Sequence, residues 1–262
     1  IAVVLNWFYG TVINSAYGIA QQVVGAVQFI SVSILNAFNP QIMKAEGAGD
    51  RNKMIVMSEY VSKYSFLLLA MVAIPLIAEM DTILQLWLGE VPEYSSIFCQ
   101  LILIAALCDQ LSVGLTSANQ AIGNIRNYTL IFYTLKLMVL IIGWVCLYFG
   151  MSVASILWCY VGIELFTSLL RLPLMKWIAD IPILPFCKHV FGRIIVPLIV
   201  MCSVCIICVR YIQTPYRLVI TIGLSVVIGG ISIWLTAINK QEKEIIIQSL
   251  NRFIPHNAKR HS

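Results

Sequence analysis

The chain has 262 residues, 60% of them hydrophobic and only 11% charged, with a formal net charge of +5 and a mean hydropathy of +0.89. A water-soluble domain is nearer half apolar and a quarter charged, so this composition excludes one. No basic patch interleaved with stacking aromatics is present, which argues against nucleic-acid binding.

The apolar residues fall in blocks of about 20, the length an α-helix needs to cross a hydrocarbon core of about 30 Å. Backbone groups facing lipid must be paired within the segment or within a closed barrel. Barrel strands would alternate over about 10 residues, and these blocks do not. The expected fold class is all-α: a polytopic membrane protein.

The chain begins inside an apolar run, Ile1 to Phe8, without a basic leader or a small-residue cleavage site. Residues 1–9 therefore read as the tail of a helix in a fragment whose N-terminal part lies outside this sequence. A second segment spans 11–38 and is expected to stop at Asn39-Pro40, because proline cannot continue a helix cheaply. A polar loop, 41–53, leads to a third segment, 60–78. The stretch 79–95 carries Trp87, Pro92 and Tyr94 and reads as a connector. Further segments follow at 97–118, 128–149 and 153–170. A longer loop, 171–193, holds three prolines, and the last two segments are 194–209 and 218–238. That makes seven full crossings after a cut one.

Lys and Arg mark the cytoplasmic loops. Loops 40–53 and 171–193 and the tail carry several each, loop 119–127 carries Arg126, and the intervening loops carry few or none, so loops 40–53, 119–127 and 171–193 and the tail read as cytoplasmic. Arg210 and Arg217, which flank the turn 213–216, are a mild exception. The tail segment 241–254 has Ile246, Leu250, Phe253 and Ile254 at helical spacing, which fits an interfacial helix or a plain solvated tail. The eight cysteines lie mostly inside apolar blocks, against a disulfide framework. Cys202, Cys205 and Cys208 lack a fourth ligand for zinc and read as buried apolar residues. No phosphate-cradling loop and no acid–nucleophile constellation is present, so neither a cofactor nor an enzymatic activity is expected.

Two departures from apolarity stand out. In the 11–38 segment, Asn14, Tyr17, Gln21, Gln28 and Ser31 recur at steps that return to one helix face. Amides facing lipid are costly, so they must face other helices or water. Inter-helix hydrogen bonding and a polar cavity both satisfy that demand. On another side, Ala16, Gly18, Ala20 and Gly25 would allow close packing. The second departure is the set Asp109, Lys136 and Glu164. Counted at 1.5 Å per residue, all three lie roughly 10–14 Å from the cytoplasmic boundary. Similar depth on consecutive helices permits a buried ion-pair cluster, serving either helix packing or function. Glu59 and Lys63, one turn apart, read as an interfacial pair.

The stretches Asn6-Trp7-Phe8-Tyr9-Gly10, 12–20 (VINSAYGIA), Asn39-Pro40-Gln41-Ile42-Met43-Lys44, Ala48-Gly49-Asp50-Arg51, Leu86-Trp87-Leu88 and Val91-Pro92-Glu93-Tyr94 resemble the middle of bacterial polysaccharide (O-antigen type) flippases. Those belong to the multidrug/oligosaccharidyl-lipid/polysaccharide exporter superfamily. The resemblance covers most of residues 1–180 and is weaker beyond. It implies that residues 1–171 are the second six-helix lobe with its first helix truncated. Residues 172–193 would then be a cytoplasmic loop, 194–239 two appended transmembrane helices, and 240–262 a cytoplasmic amphipathic tail. It also implies a location in the bacterial cytoplasmic (inner) membrane. The expected partners are a lipid-linked oligosaccharide on undecaprenyl diphosphate, the bilayer, a coupling ion (H+ or Na+), and polysaccharide polymerase and chain-length proteins. Asn14, Tyr17, Gln21, Gln28 and Ser31 would face the substrate cavity. For the diphosphate, this half supplies only Lys136 at depth. The competing readings are a drug or cation antiporter of the same superfamily, using Asp109 or Glu164 as its ion site, and a non-transporting membrane scaffold.

Overall fold

The computed structural model describes residues 1–239 and 242–244, and all regular structure among them is helical. Among the described residues, six helices are long and apolar enough to cross a membrane, or seven if one bent pair counts as a single span. The protein is an all-helical, multi-pass membrane protein. The segment read as an interfacial tail helix lies almost wholly outside the described residues.

Helix α1 runs Ala2–Gly47, with a break at Gly10 (φ 76°, ψ −165°). Only glycine takes that backbone geometry without strain. The short piece before it folds back over the 150–154 turn, where Tyr9 meets the Met151 carbonyl at 3.5 Å. The expected stop at Asn39-Pro40 does not occur, and the helix continues through Pro40 to Gly47. Pro40 removes one backbone donor, and it is itself exposed, so water can satisfy the carbonyl it frees.

Helix α2, Arg51–Ala78, starts where Asp50 accepts a hydrogen bond from the Lys53 amide at 3.1 Å. It is the central element and packs against α1, α4, α5, α9 and α10. The connector 79–95 contains a short helix, α3 (Met80–Leu88). The segment expected as one span over 97–118 is instead α4 (Ser95–Gln110) and α5 (Val113–Ile122), bent by 46° at Leu111-Ser112. Helix α6 is Ile125–Tyr148 and α7 is Ser155–Ala179.

The 172–193 loop shrinks to residues 180–182. Helix α7 carries on through Pro173, and α8 (Ile183–Phe186) leads through a π turn (Cys187–Phe191) into α9 (Gly192–Tyr211). The reversal is made by Asp180 in the left-handed region (φ 53°) and by Pro182. The basic character that marked this stretch as a loop is therefore spread over two helix ends. Helix α10, Arg217–Ser232, closes with a π turn, Ile233–Ala237.

The pair α9–α10 is tied to α2 at one end by charge. The Glu79 side chain is wholly buried and pairs with Arg217 at 2.8 Å. It also accepts from Thr221 at 3.0 Å and Thr82 at 3.2 Å. The exception to the charge pattern is thus accounted for, since Arg217 neutralises a buried carboxylate. Breaking one partner of a buried pair leaves the other uncompensated. Glu79→Ala is expected to cost on the order of 3 kcal/mol. In thermal unfolding of the detergent-solubilised protein, Glu79→Ala/Arg217→Ala together should lose less than the sum of the single losses.

Candidate functional site

The break between α4 and α5 organises the site. A broken helix at membrane depth exposes backbone groups that must be satisfied from elsewhere. The freed Asp109 carbonyl accepts from Arg171 Nη1 at 3.1 Å. The Gly114 amide donates to Ser62 Oγ at 2.9 Å. Ser112 Oγ donates to the Ser168 carbonyl at 2.9 Å and lies 2.7 Å from Ser168 Oγ. Side chains of α2 and α7 therefore do the work of the missing turn. Gly114 sits so close to α2 that a Cβ there would lie 1.9 Å from the Ser58 carbonyl oxygen.

Around the break four charges meet. Arg171 Nη2 pairs with Asp109 Oδ1 at 2.7 Å. Lys136 Nζ lies 2.9 Å from Glu164 Oε1 and 3.7 Å from Asp109 Oδ1. The structure thus brings Asp109, Lys136 and Glu164 together, from α4, α6 and α7. It adds Arg171, which the sequence reading placed at the start of a loop. Four residues then balance two positive against two negative charges. The side chains of Glu164 and Arg171 are 2% and 7% exposed, whereas Lys136 is 35% exposed. Lys136 and Asp109 (27% exposed) are therefore the members on the outer side of the cluster. The Arg171 signal was present in the sequence, since Glu164, Ser168 and Arg171 follow at four and seven residues on one helix face.

A cavity of about 160 Å³ adjoins the cluster. Lys136 and Arg171 reach it, and Thr116, Asn119, Tyr128 and Thr129 supply polar groups. Thr116 Oγ1 lies 2.9 Å from the Tyr128 hydroxyl, and the Arg171 guanidinium carbon sits 5.6 Å from the centre of the Phe132 ring. Glu164 Oε2, Arg171 Nε and Asn119 Oδ1 are buried without a protein partner. Each needs a water or a ligand group, because an unpaired buried polar atom costs about 1–3 kcal/mol.

The amide stripe of α1 takes no part in the ion pairs of this cluster. Gln21 is exposed, and Asn14, Tyr17 and Gln28 are half-buried. They flank the packed row of Ile13, Ala16, Ala20, Val24 and Val27. Ser31 belongs to that packed row instead, at 2% exposure, because it continues the same steps of three and four. The small residues divide as well. Ala16 and Ala20 are fully buried, whereas a Cβ on Gly18 or Gly25 would meet nothing within 4 Å. The open side of α1 therefore mixes amides, hydroxyls and glycines with exposed apolar residues, among them Val12, Phe29 and Val32.

Glu59 and Lys63 do not pair with each other. Glu59 Oε2 is 2.9 Å from His189 Nδ1, and Lys63 Nζ is 2.6 Å from Glu242 Oε1. Both partners come from segments distant in sequence, which helical spacing alone could not reveal. Among the described residues, no group of three or more His, Cys, Asp or Glu is placed to hold a metal ion.

Comparison with protein-family models, with curated proteins and with solved structures finds no match to this chain.

Two substitutions test the site. Gly114→Val should force α5 off α2 and lower the yield of folded protein in size-exclusion chromatography by several-fold, since backbone cannot yield as a flexible side chain can. Lys136→Met should destabilise by roughly 3 kcal/mol, because it strands the Glu164 carboxylate. Lys136→Met/Glu164→Gln should recover most of that loss in the same melting assay.

Proposed function

We propose that this chain forms part of a flippase that moves a lipid-linked oligosaccharide, on an undecaprenyl diphosphate carrier, across the bacterial cytoplasmic membrane. The observation that supports it most is the uncovered polar side of α1. Gln21 and its half-buried neighbours Asn14, Tyr17 and Gln28 sit on a membrane-length helix without being fully covered by the rest of the chain. Such a face is expensive against lipid and suits sugar hydroxyls, which donate and accept as amides do. In this reading it borders a water-filled path completed by a second lobe. Alternating access would rock the lobes about that path, as in other repeat-built transporters. The basic loops and the C-terminus face the cytoplasm.

The four-charge cluster serves this reading as a hinge support. It fixes α4, α5, α6 and α7 to one another at the helix break, and Lys136 remains able to change partner. A drug or cation antiporter of the same superfamily would instead use Asp109 or Glu164 for its coupling ion. That ion would have to displace Lys136, because both carboxylates already face it.

The test is genetic. Cells lacking the full-length protein and any paralogue should lose surface polymer, detected by extraction and gel staining; retained polymer overturns the reading. Gln21→Leu/Gln28→Leu at normal protein level should lower surface polymer at least several-fold. Unchanged export would reduce these amides to packing residues.

A further inference from the structure

The cation site around Lys63 is filled by the chain's own C-terminal segment. Lys63 lies within α2, and its side chain is 3% exposed. Its ammonium lies 5.4 Å and 4.8 Å from the ring centres of Tyr60 and Tyr64. It donates to the Ala237 carbonyl at 3.3 Å, and Arg193 Nη1 donates to the same oxygen at 3.3 Å. Two cations therefore converge on one helix C-terminus, where positive charge is favoured. Glu59, the carboxylate one turn from Lys63, is engaged by His189 instead. The carboxylate placed on Lys63 is Glu242, whose side chain is 4% exposed and whose Oε2 also accepts from the Asn239 amide at 2.7 Å. Glu242 answers Lys63 directly, and Lys63 and Arg193 are balanced by Glu59 and Glu242, so removing the Glu242 carboxylate leaves one net positive charge at the site.

Two cavities meet at this point. One is polar, about 290 Å³, with Glu59, Lys63, His189 and Glu242 in its wall. The other is an apolar groove of about 890 Å³ between α1, α2 and α10, walled by Ile34, Phe38, Leu68, Met71 and Gly230 among others. Val56, Tyr60 and Glu242 line both. An apolar groove that runs into a pocket where one carboxylate sits on a buried ammonium matches a molecule with a hydrocarbon chain and a single negative charge at its head.

We propose that this is a binding site for an anionic phospholipid, and that Glu242 is a plug that occupies the headgroup position. The acyl chain lies along the groove. The phosphodiester takes the place of the Glu242 carboxylate on Lys63, with Arg193 close by on the shared Ala237 carbonyl. The segment bearing Glu242 and the lipid then compete for one site, so lipid composition sets whether that segment is docked. The idea goes beyond the transport reading and does not depend on it, because the experiment measures lipid retention alone.

The test is native mass spectrometry of the full-length protein in detergent, with phosphatidylglycerol or phosphatidylcholine added. Wild type should retain phosphatidylglycerol in preference to phosphatidylcholine. Glu242→Gln removes the competing charge and should raise phosphatidylglycerol retention by about tenfold, the size of a 1.4 kcal/mol change. Lys63→Met/Glu242→Gln, which keeps the buried pair neutral, should abolish the preference. Gly230→Phe has room for its ring, since a Cβ there meets nothing within 4 Å, and should block the groove and lower retention. Equal retention of the two lipids by Glu242→Gln, or unchanged retention in Gly230→Phe, overturns the proposal. So does displacement of the lipid by inorganic phosphate at equal concentration, since the groove would then contribute nothing.

Discussion

Charge inside a low-dielectric bundle must be answered by charge, and the answer here nearly always comes from another helix. A carboxylate or ammonium at the centre of a membrane helix costs about 2.5–3.5 kcal/mol when inserted alone. Glu79 is met by Arg217, Asp109 by Arg171, Glu164 by Lys136 and Lys63 by Glu242. These pairs join the α2–α3 junction to α10, α4 to α7, α6 to α7, and the C-terminal segment to α2. Apolar packing in lipid discriminates weakly between neighbours, because lipid tails are as apolar as leucine. The ion pairs supply the discrimination: each is satisfied in one arrangement of helices and exposed to a large penalty in others.

The same demand governs the backbone. Breaking α4 from α5 frees an acceptor on Asp109 and a donor on Gly114, and both are answered by side chains of neighbouring helices. Arg171 serves twice, once for the carbonyl and once for the carboxylate of the same residue. The helix break and the charge cluster are thus one construction. Its most exposed member, Lys136, is the part best placed to exchange partners during a conformational change, whereas Glu164 and Arg171 are locked by burial.

The polar surface of α1 and the charge cluster divide the chemistry between them. The first offers hydrogen bonds without net charge and stays uncovered. The second balances its charges internally and stays largely covered. In the proposed transport reading, the first would border the sugar path and the second would support the rocking helices.

Composition and block length alone determined that the chain is all-helical and membrane-embedded, because twenty apolar residues in a row have no other stable form across a bilayer. Helical period and depth also brought Asp109, Lys136 and Glu164 to one level, since rise per residue is fixed. What the sequence could not decide was which residues meet across helices. Glu59 and Lys63 stand one turn apart, yet each finds a partner more than a hundred positions away. Pro40 reads as a stop and Pro173 falls inside an expected loop, yet both helices run through them. The break at Leu111-Ser112 carries no proline and is held open by Ser62 and Arg171 from other helices. Local propensity sets where a helix is possible. Only tertiary packing, by supplying or withholding partners for freed backbone and buried charge, decides where it ends and whom it touches.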